Sequence, residues 1–217
     1  MALLFKSFPL RLVAISDTHS KHHSLKLPKG DVLIHAGDVS LRGTKEEIVD
    51  FLQWFSKQNF RYKIFVAGNH DFYLEKTSHI EIQKIIPENI IYLKDSGTEI
   101  NGIRFWGSPV TPWFFNWAFN RKRGEQIRKH WELIPPDTNV LITHGPVFGF
   151  LDSLSNEQHV GCQDLLRTVL LIKPKVHICG HIHESYGSLQ RSGIHFINAC
   201  QVNEHYDLIH KPIVIDV

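Results

Sequence analysis

The stretch Val66–Asp71, VAGNHD, decides how this chain is read. An apolar, strand-like run (Ile64, Phe65, Val66) stops at a glycine. An amide, an imidazole and a carboxylate then follow on consecutive residues. Asn and Asp are ordinary turn residues, but a turn has no need of His between them. The same event recurs outward along the chain. RLVAIS (11–16) ends at DTH, DVLIHA (31–36) at GD, NVLIT (139–143) at HGP and KVHIC (175–179) at GHIH. Each run is short, rich in β-formers and apolar on both faces, as inner strands of a doubly covered sheet must be.

Helical segments lie between these runs. TKEEIVDFLQWFSK opens with the capping box Thr44-x-x-Glu47, and Ile48, Phe51, Leu52 and Phe55 follow helical spacing. Ser78-x-x-Glu81 repeats the cap before IQKII, which stops at Pro87, and residues 121–132 and 161–172 also read as helices. Asn101-Gly102 between Ile100 and Ile103 signals a hairpin, with a second expected from 186–191 and 194–199. No Gly/Ser/Pro-rich linker and no internal repeat divides the chain. The expectation is one α/β domain over residues 1–217, built on mixed sheets.

Composition bounds the function. Of 217 residues, 42% are hydrophobic and 11% aromatic, enough for a sizeable core. A net charge of +2 gives no case for nucleic acid or a membrane surface. No apolar stretch approaches the roughly 20 residues that span a bilayer. The opening MALLFKSFPL lacks a basic region and a cleavage site, and reads as part of the domain rather than a signal. Cys162, Cys179 and Cys200 are odd in number with no CxxC spacing, which fits reduced thiols and a cytoplasmic location. Histidine is the outlier, with 15 copies.

In α/β sheets, ligands bind beyond the carboxyl ends of strands. The strand-end clusters place Asp17, His19, Asp38, Asn69, His70, His144, His181 and His183 there. Carboxylate and amide oxygens with imidazoles are the ligand mix of divalent first-row metals such as Mn, Fe, Zn or Ni. Asp17-x-His19 puts both side chains on one side of an extended segment. His181-x-His183 does the same if extended, or points to two neighbouring ions if turned. Each short motif is weak alone; the ordered set is strong.

That set resembles the calcineurin-like metallophosphoesterases, and most closely a small subfamily of metallophosphoesterase-domain-containing proteins. The motifs are Asp17-x-His19, Gly37-Asp38, Gly68-Asn69-His70-Asp71, His144-Gly145 and Gly180-His181-x-His183, in the family's order and across nearly the whole chain. The resemblance implies a four-layer αββα sandwich, two mixed β-sheets flanked by helices. It implies one ion on Asp17, His19, Asp38 and His183, and a second that shares Asp38 and adds Asn69, His144 and His181. It implies a phosphodiesterase or phosphatase acting on small phosphodiesters, cyclic nucleotides among them, through attack of a metal-bound hydroxide. Mn²⁺ is the first expectation for both ions. His70 would be the general acid, with Asp71 either orienting it or tying down the loop.

Blander readings stand beside these. Any one ligand could be a strand-end residue capping a turn, and His70 a surface turn residue. His35 and His177 sit inside apolar strands and read as hydrogen-bonded core; His22, His23, His79, His130, His205 and His210 read as surface. Arg42 resembles a phosphate-contacting arginine in related phosphatases, but Leu41 stands where that branch has an Asp that pairs with the catalytic His. Trp113–Phe119 is either a stacking wall for a base or aryl group or the packing of a long loop. Two other functions remain: a binding scaffold that reuses the fold without catalysis, and a nuclease on longer nucleic acid, which lacks a basic track.

Overall fold

The computed structural model describes residues 9–217; the MALLFKSF part of the opening segment lies outside the described residues. Among the described residues, thirteen strands are interspersed with five α-helices. The first half runs β1 (Arg11–Ile15), β2 (Val32–Ala36), α1 (Lys45–Ser56), β3 (Tyr62–Val66), α2 (Phe72–Lys76), α3 (His79–Ile85) and β4 (Ile91–Tyr92). Then come β5 (Ser96–Ile100), β6 (Ile103–Ser108), β7 (Thr111–Pro112), β8 (Asn120–Arg121), α4 (Glu125–Trp131) and β9 (Val140–Thr143). The chain closes with α5 (Gln163–Ile172), β10 (Val176–Cys179), β11 (Gly187–Arg191), β12 (Ile194–Asn198) and β13 (Ile213–Asp216).

Two mixed sheets form, in the orders β13-β1-β2-β3-β4 and β11-β12-β10-β9-β6-β5. Inner neighbours are parallel, while β13, β11 and β5 close edges antiparallel. The alternation of side chains along each strand divides the burial. Leu12 and Ala14 of β1 face the second sheet, packing in one cluster with Ile142 and Ile178. Val13 and Ile15 face the other way, into a cluster with Phe51, Leu52 and Phe55 of α1. On the far side, Leu141 and Phe196 meet Ile127 and Trp131 of α4 and Leu165 and Val169 of α5. The result is four layers, helix–sheet–sheet–helix, with β1, β2, β3, β9 and β10 buried on both faces over most of their length.

Local chemistry set the boundaries where it could. Thr44 and Glu47 form the reciprocal capping box of α1, and Ser78 accepts from the Glu81 N–H at the start of α3. Asn101 and Gly102 adopt left-handed φ of 51° and 79°, the turn a two-residue hairpin needs between Ile100 and Ile103. Ser192 and Gly193 do the same between β11 and β12, at 54° and 79°. Two helices start later than the sequence suggests. Residues 120–121 pair with β7, and Gly124 at φ 84° turns the chain before α4 begins at Glu125. Cys162 caps α5 through its sulfur, so that helix begins at Gln163.

Candidate metal centre

Five of the inner strands, β1, β2, β3, β9 and β10, deliver their carboxyl ends to one edge of the two-sheet stack. Main-chain bonds continue past the strand ends: the Asp17, His19 and Ser20 N–H groups donate to the carbonyls of Gly37, Asp38 and Val39 at 2.9, 3.1 and 3.1 Å. The loops after β1 and β2 are therefore zipped together. Asp17, His19, Ser20, Asp38 and His181 all hold left-handed backbones, at φ 53°, 41°, 63°, 56° and 70°. Such geometry costs about 1–2 kcal/mol per residue and persists where the surroundings fix it. It also corrects the strand-based reading of Asp17-x-His19. The two side chains converge through a turn, not through alternation along an extended segment.

Glycines make room for the carboxylates. A Cβ on Gly180 would strike the Asp17 carboxylate, and one on Gly68 would strike that of Asp38. Asp17 accepts from the His181 N–H at 2.9 Å. The His70 N–H donates to Asp38 Oδ1 at 2.8 Å, which leaves Oδ2 to face His19 Nε2 at 3.8 Å and His144 Nε2 at 3.3 Å. His144 Nε2 also lies 2.8 Å from Asn69 Oδ1. On the other side of Asp38, His19 Nε2 lies 3.4 Å from His183 Nε2, which is 3.6 Å from Asp17 Oδ1. His181 packs its ring 4.9 Å from that of His144. The H-x-H pair thus splits, His183 toward Asp17 and His19, His181 toward Asp38 and His144.

Tautomers follow from the partners. The Nδ1 atoms of His144 and His183 meet the carbonyls of Ala36 and Asn203 at 2.9 and 3.0 Å. A carbonyl only accepts, so each Nδ1 carries the proton and each Nε2 turns a lone pair inward. Those lone pairs face Asp38 Oδ2, Asn69 Oδ1, Asp17 Oδ1 and the Nε2 of His19. With those rings neutral, acceptor meets acceptor in a largely buried site, and only an added proton or a cation relieves it. One ring nitrogen of His19, Nδ1, has no hydrogen-bond partner among the described residues. This donor set fits divalent cations, which supply the missing positive charge. Two groups of potential donors share Asp38: His19, Asp38 and His70, and Asp38, His144 and His181.

Charge balance in the protein alone reflects the same crowding. Burial works against the charged forms throughout, but His144 beside Asp38 is pushed up to about 9. Asp38, for its part, is held well below the carboxylate range by His144, against its own burial. Burial pulls His19 down to about 4 and His181 to about 3, so these rings are neutral donors near pH 7.

His70 Nδ1 lies 2.7 Å from the Leu41 carbonyl, so this ring too carries its proton on Nδ1 and leaves Nε2 free. The partner that Leu41 lacks as a side chain is supplied by its main chain. Trp117 stacks on His70 with ring centroids 4.4 Å apart. Asp71 does not reach the His70 ring. It accepts from the N–H groups of Gly68 (2.7 Å), Val39 (3.3 Å) and Ser40 (3.0 Å) and from the Ser40 hydroxyl (2.5 Å), and so ties one loop to the next. Of its two expected roles, loop support is the one its contacts show. Arg42 is exposed on the loop of Leu41, and its guanidinium makes no hydrogen bond or ion pair among the described residues.

Three features escaped the sequence. Tyr206, itself at φ 63°, packs its ring 4.7 Å from His19 and 5.3 Å from His183. Asn203 holds that turn, accepting from the N–H groups of His205 and Asp207. Cys200 brings its sulfur near Asp17 and His183, but burial pushes its thiol up and the S–H donates to the Val202 carbonyl. Nothing in the spacing of residues 200–206 marks them as neighbours of a centre built at strand ends. Among the other histidines, His35 and His177 are core residues bonded to Thr18 and Thr143, as expected. His22, expected at the surface, is buried against Phe51 and Trp54 and bonded to Asp50.

Two mixed sheets carrying a buried Asp/His/Asn cluster at one edge define a metal-dependent hydrolase class. Comparison makes the class particular. The family model for calcineurin-like phosphoesterases matches residues 10–185, and the chain belongs to that family. Metallophosphoesterase domain-containing protein 1 of Homo sapiens is 39% identical over 95% of this chain and 71% of its own length. UPF0046 protein K07C11.7 of Caenorhabditis elegans is 41% identical over 94% of this chain and 74% of its own. Among solved structures, phosphopantetheinyl hydrolase from Mycobacterium tuberculosis superposes with a TM-score of 0.64 at 18% identity, over 97% of this chain and 96% of that one, a likeness of fold. The family consists of metal-dependent phosphoesterases. Among the described residues, no helix is long and apolar enough to cross a membrane.

Proposed function

We infer that the protein is a dinuclear metal-dependent phosphodiesterase, acting within one domain on small phosphodiesters such as cyclic nucleotides. The observation that carries this reading is the inward crowding of carboxylate, amide and imidazole atoms around Asp38 Oδ2, which the chain alone relieves by holding a proton on His144 where a cation would otherwise sit. One ion would be held by Asp17, His19, Asp38 and His183, and the other by Asp38, Asn69, His144 and His181. Carboxylate, amide and imidazole donors suit Mn²⁺ first, then Fe, Zn or Ni. A pair of divalent ions clamps phosphoryl oxygens and lowers the pKa of water, which makes a nucleophile available near neutral pH.

The chain's own groups do the rest. Asp38 Oδ1 is pinned by the His70 N–H, so its other oxygen stays aimed between the two halves of the site. His70 serves as the proton donor. In this role the ring starts doubly protonated: as a hydroxide oxygen joins phosphorus, the bond to the departing ester oxygen breaks, and that oxygen takes the imidazolium's second proton from His70 Nε2. The ring relaxes to the Nδ1–H tautomer that the Leu41 carbonyl favours. Trp117 covers one face of the ring and fixes its plane. Arg42, exposed and next in sequence to Leu41, would meet a phosphoryl oxygen, a role that the family resemblance supports. Three buried free thiols support a reducing, cytoplasmic setting.

The test is hydrolysis of bis-p-nitrophenyl phosphate and p-nitrophenyl phosphate by metal-stripped protein with Mn²⁺ restored. Metal-dependent release of nitrophenol, faster from the diester, is expected. Silence with both esters across Mn²⁺, Fe²⁺, Zn²⁺ and Ni²⁺ would shift the reading to a scaffold that keeps the fold without catalysis.

A further inference from the structure

A cavity of about 420 Å³ opens beside His181. That is within the roughly 300–1,000 Å³ of small-molecule sites. Its lining runs from His181 past Phe114, Pro112 and Pro146 to Leu154 and Gln158, mostly apolar with a polar rim. The far wall is stiff. The Arg123 guanidinium donates to the Val160 and Gly161 carbonyls, both at 2.8 Å, and buried Asp152 accepts from the Gly161 N–H at 2.9 Å.

The aromatic loop that follows β7 links this cavity to the centre. Its two ends are joined by β7 and β8, and the Ala118 N–H donates to the Asn69 carbonyl at 3.0 Å. The loop therefore moves with the strand-end residues. It presents two rings 6.4 Å apart to two different histidines: Trp117 lies on His70 at 4.4 Å, and Phe114 stands against His181 at 5.2 Å. A phosphorus bound at the centre has ester arms leading to both places. The arm that departs must face His70, the proton donor. The arm that remains is then left with the cavity at His181.

We propose that this cavity seats the ester arm that stays on phosphorus, and that it selects a planar aromatic or heterocyclic group there, so that diesters are preferred over monoesters. The inference rests on the phosphoesterase reading of the centre. A nucleoside fits the description: Phe114 stacks on its base, and the Gln158 amide, which has no hydrogen-bond partner among the described residues, meets its polar edge.

Three esters with one leaving group isolate the retained arm: phenyl p-nitrophenyl phosphate, methyl p-nitrophenyl phosphate and p-nitrophenyl phosphate. All release the same nitrophenolate, so the chemistry of departure is constant. With Mn²⁺-loaded wild type, kcat/KM for the phenyl ester should exceed that for the methyl ester by about tenfold or more, most of it in KM. Two variants with opposite effects on the space, Phe114→Ala and Leu154→Trp, should both bring the phenyl-to-methyl ratio toward one. A ratio near one in the wild type, or a ratio untouched in both variants, overturns the assignment of the cavity. Failure of the wild type to hydrolyse any of the three overturns the hydrolase reading instead.

Discussion

His70 has one nitrogen to give. Its Nδ1 is committed to the Leu41 carbonyl, so Nε2 alone can serve a substrate. His70→Ala should slow hydrolysis of alkyl esters by about 10²–10⁴-fold. The loss should shrink as the leaving group becomes more acidic, with bound metal unchanged; a loss independent of leaving-group pKa would contradict the role. Asp71 belongs to the same turn but supports it differently. Asp71→Ala strands donors on Gly68, Val39 and Ser40, all buried or in the buried turn, so denaturant unfolding should show a loss of at least about 1–3 kcal/mol. The donor residues were legible in the sequence because each ends an apolar run. The partner of His70 was not: a main-chain carbonyl has no sequence signature. Tyr206 reaches His19 only through the fold, across nearly the length of the chain.

At the scale of elements, the site depends on strand ends that stop where they do. Gly180 ends β10 against the Asp17 carboxylate, with no space for a methyl group. Gly180→Ala should therefore displace Asp17 or the His181 turn, and cost metal affinity as well as turnover. Retention of wild-type affinity, measured by metal titration, would show that the turn has more slack than its contacts indicate. Thr44→Ala is the control at a helix end. It removes the side-chain acceptor for the Glu47 N–H, which should cost about 0.5–2 kcal/mol of stability with little change in kcat. The elements that could be read from sequence are those fixed by neighbours in the chain: two capped helices, two hairpins and five inner strands. β7 and β8, and the delayed start of α4, were not, because the pairing of Thr111 with Asn120 is a tertiary event that overrides the helical pattern of residues 121–132.

Across the whole molecule, the layers followed from strands apolar on both faces, together with the family resemblance; the order of strands within each sheet did not. The layers also bury histidines that are not among the centre's donors, with a consequence for acid stability. Burial pulls His35 and His177 down to about 3, from an ordinary 6.5. Both are satisfied as neutral rings, at 2.9 Å from the Thr18 hydroxyl and 2.8 Å from that of Thr143. The unfolded chain gains a proton at each below pH 6.5, while the folded chain does not until near pH 3. Their contribution is thus complete above pH 6.5 and is lost as the pH falls toward 3, at up to about 1.4 kcal/mol per pH unit for each ring. Unfolding midpoints between pH 7 and 5 should fall accordingly, and His177→Gln should flatten the slope by about one proton. The centre itself is tested most directly by counting ions. Metal-stripped protein titrated with Mn²⁺, its bound metal measured after dialysis, should take up about two ions per chain, and Asp38→Ala should lose most of that uptake because both halves of the site share its carboxylate. Uptake of no ion by the wild type, or two ions held equally well without Asp38, would contradict a dinuclear centre bridged at Asp38.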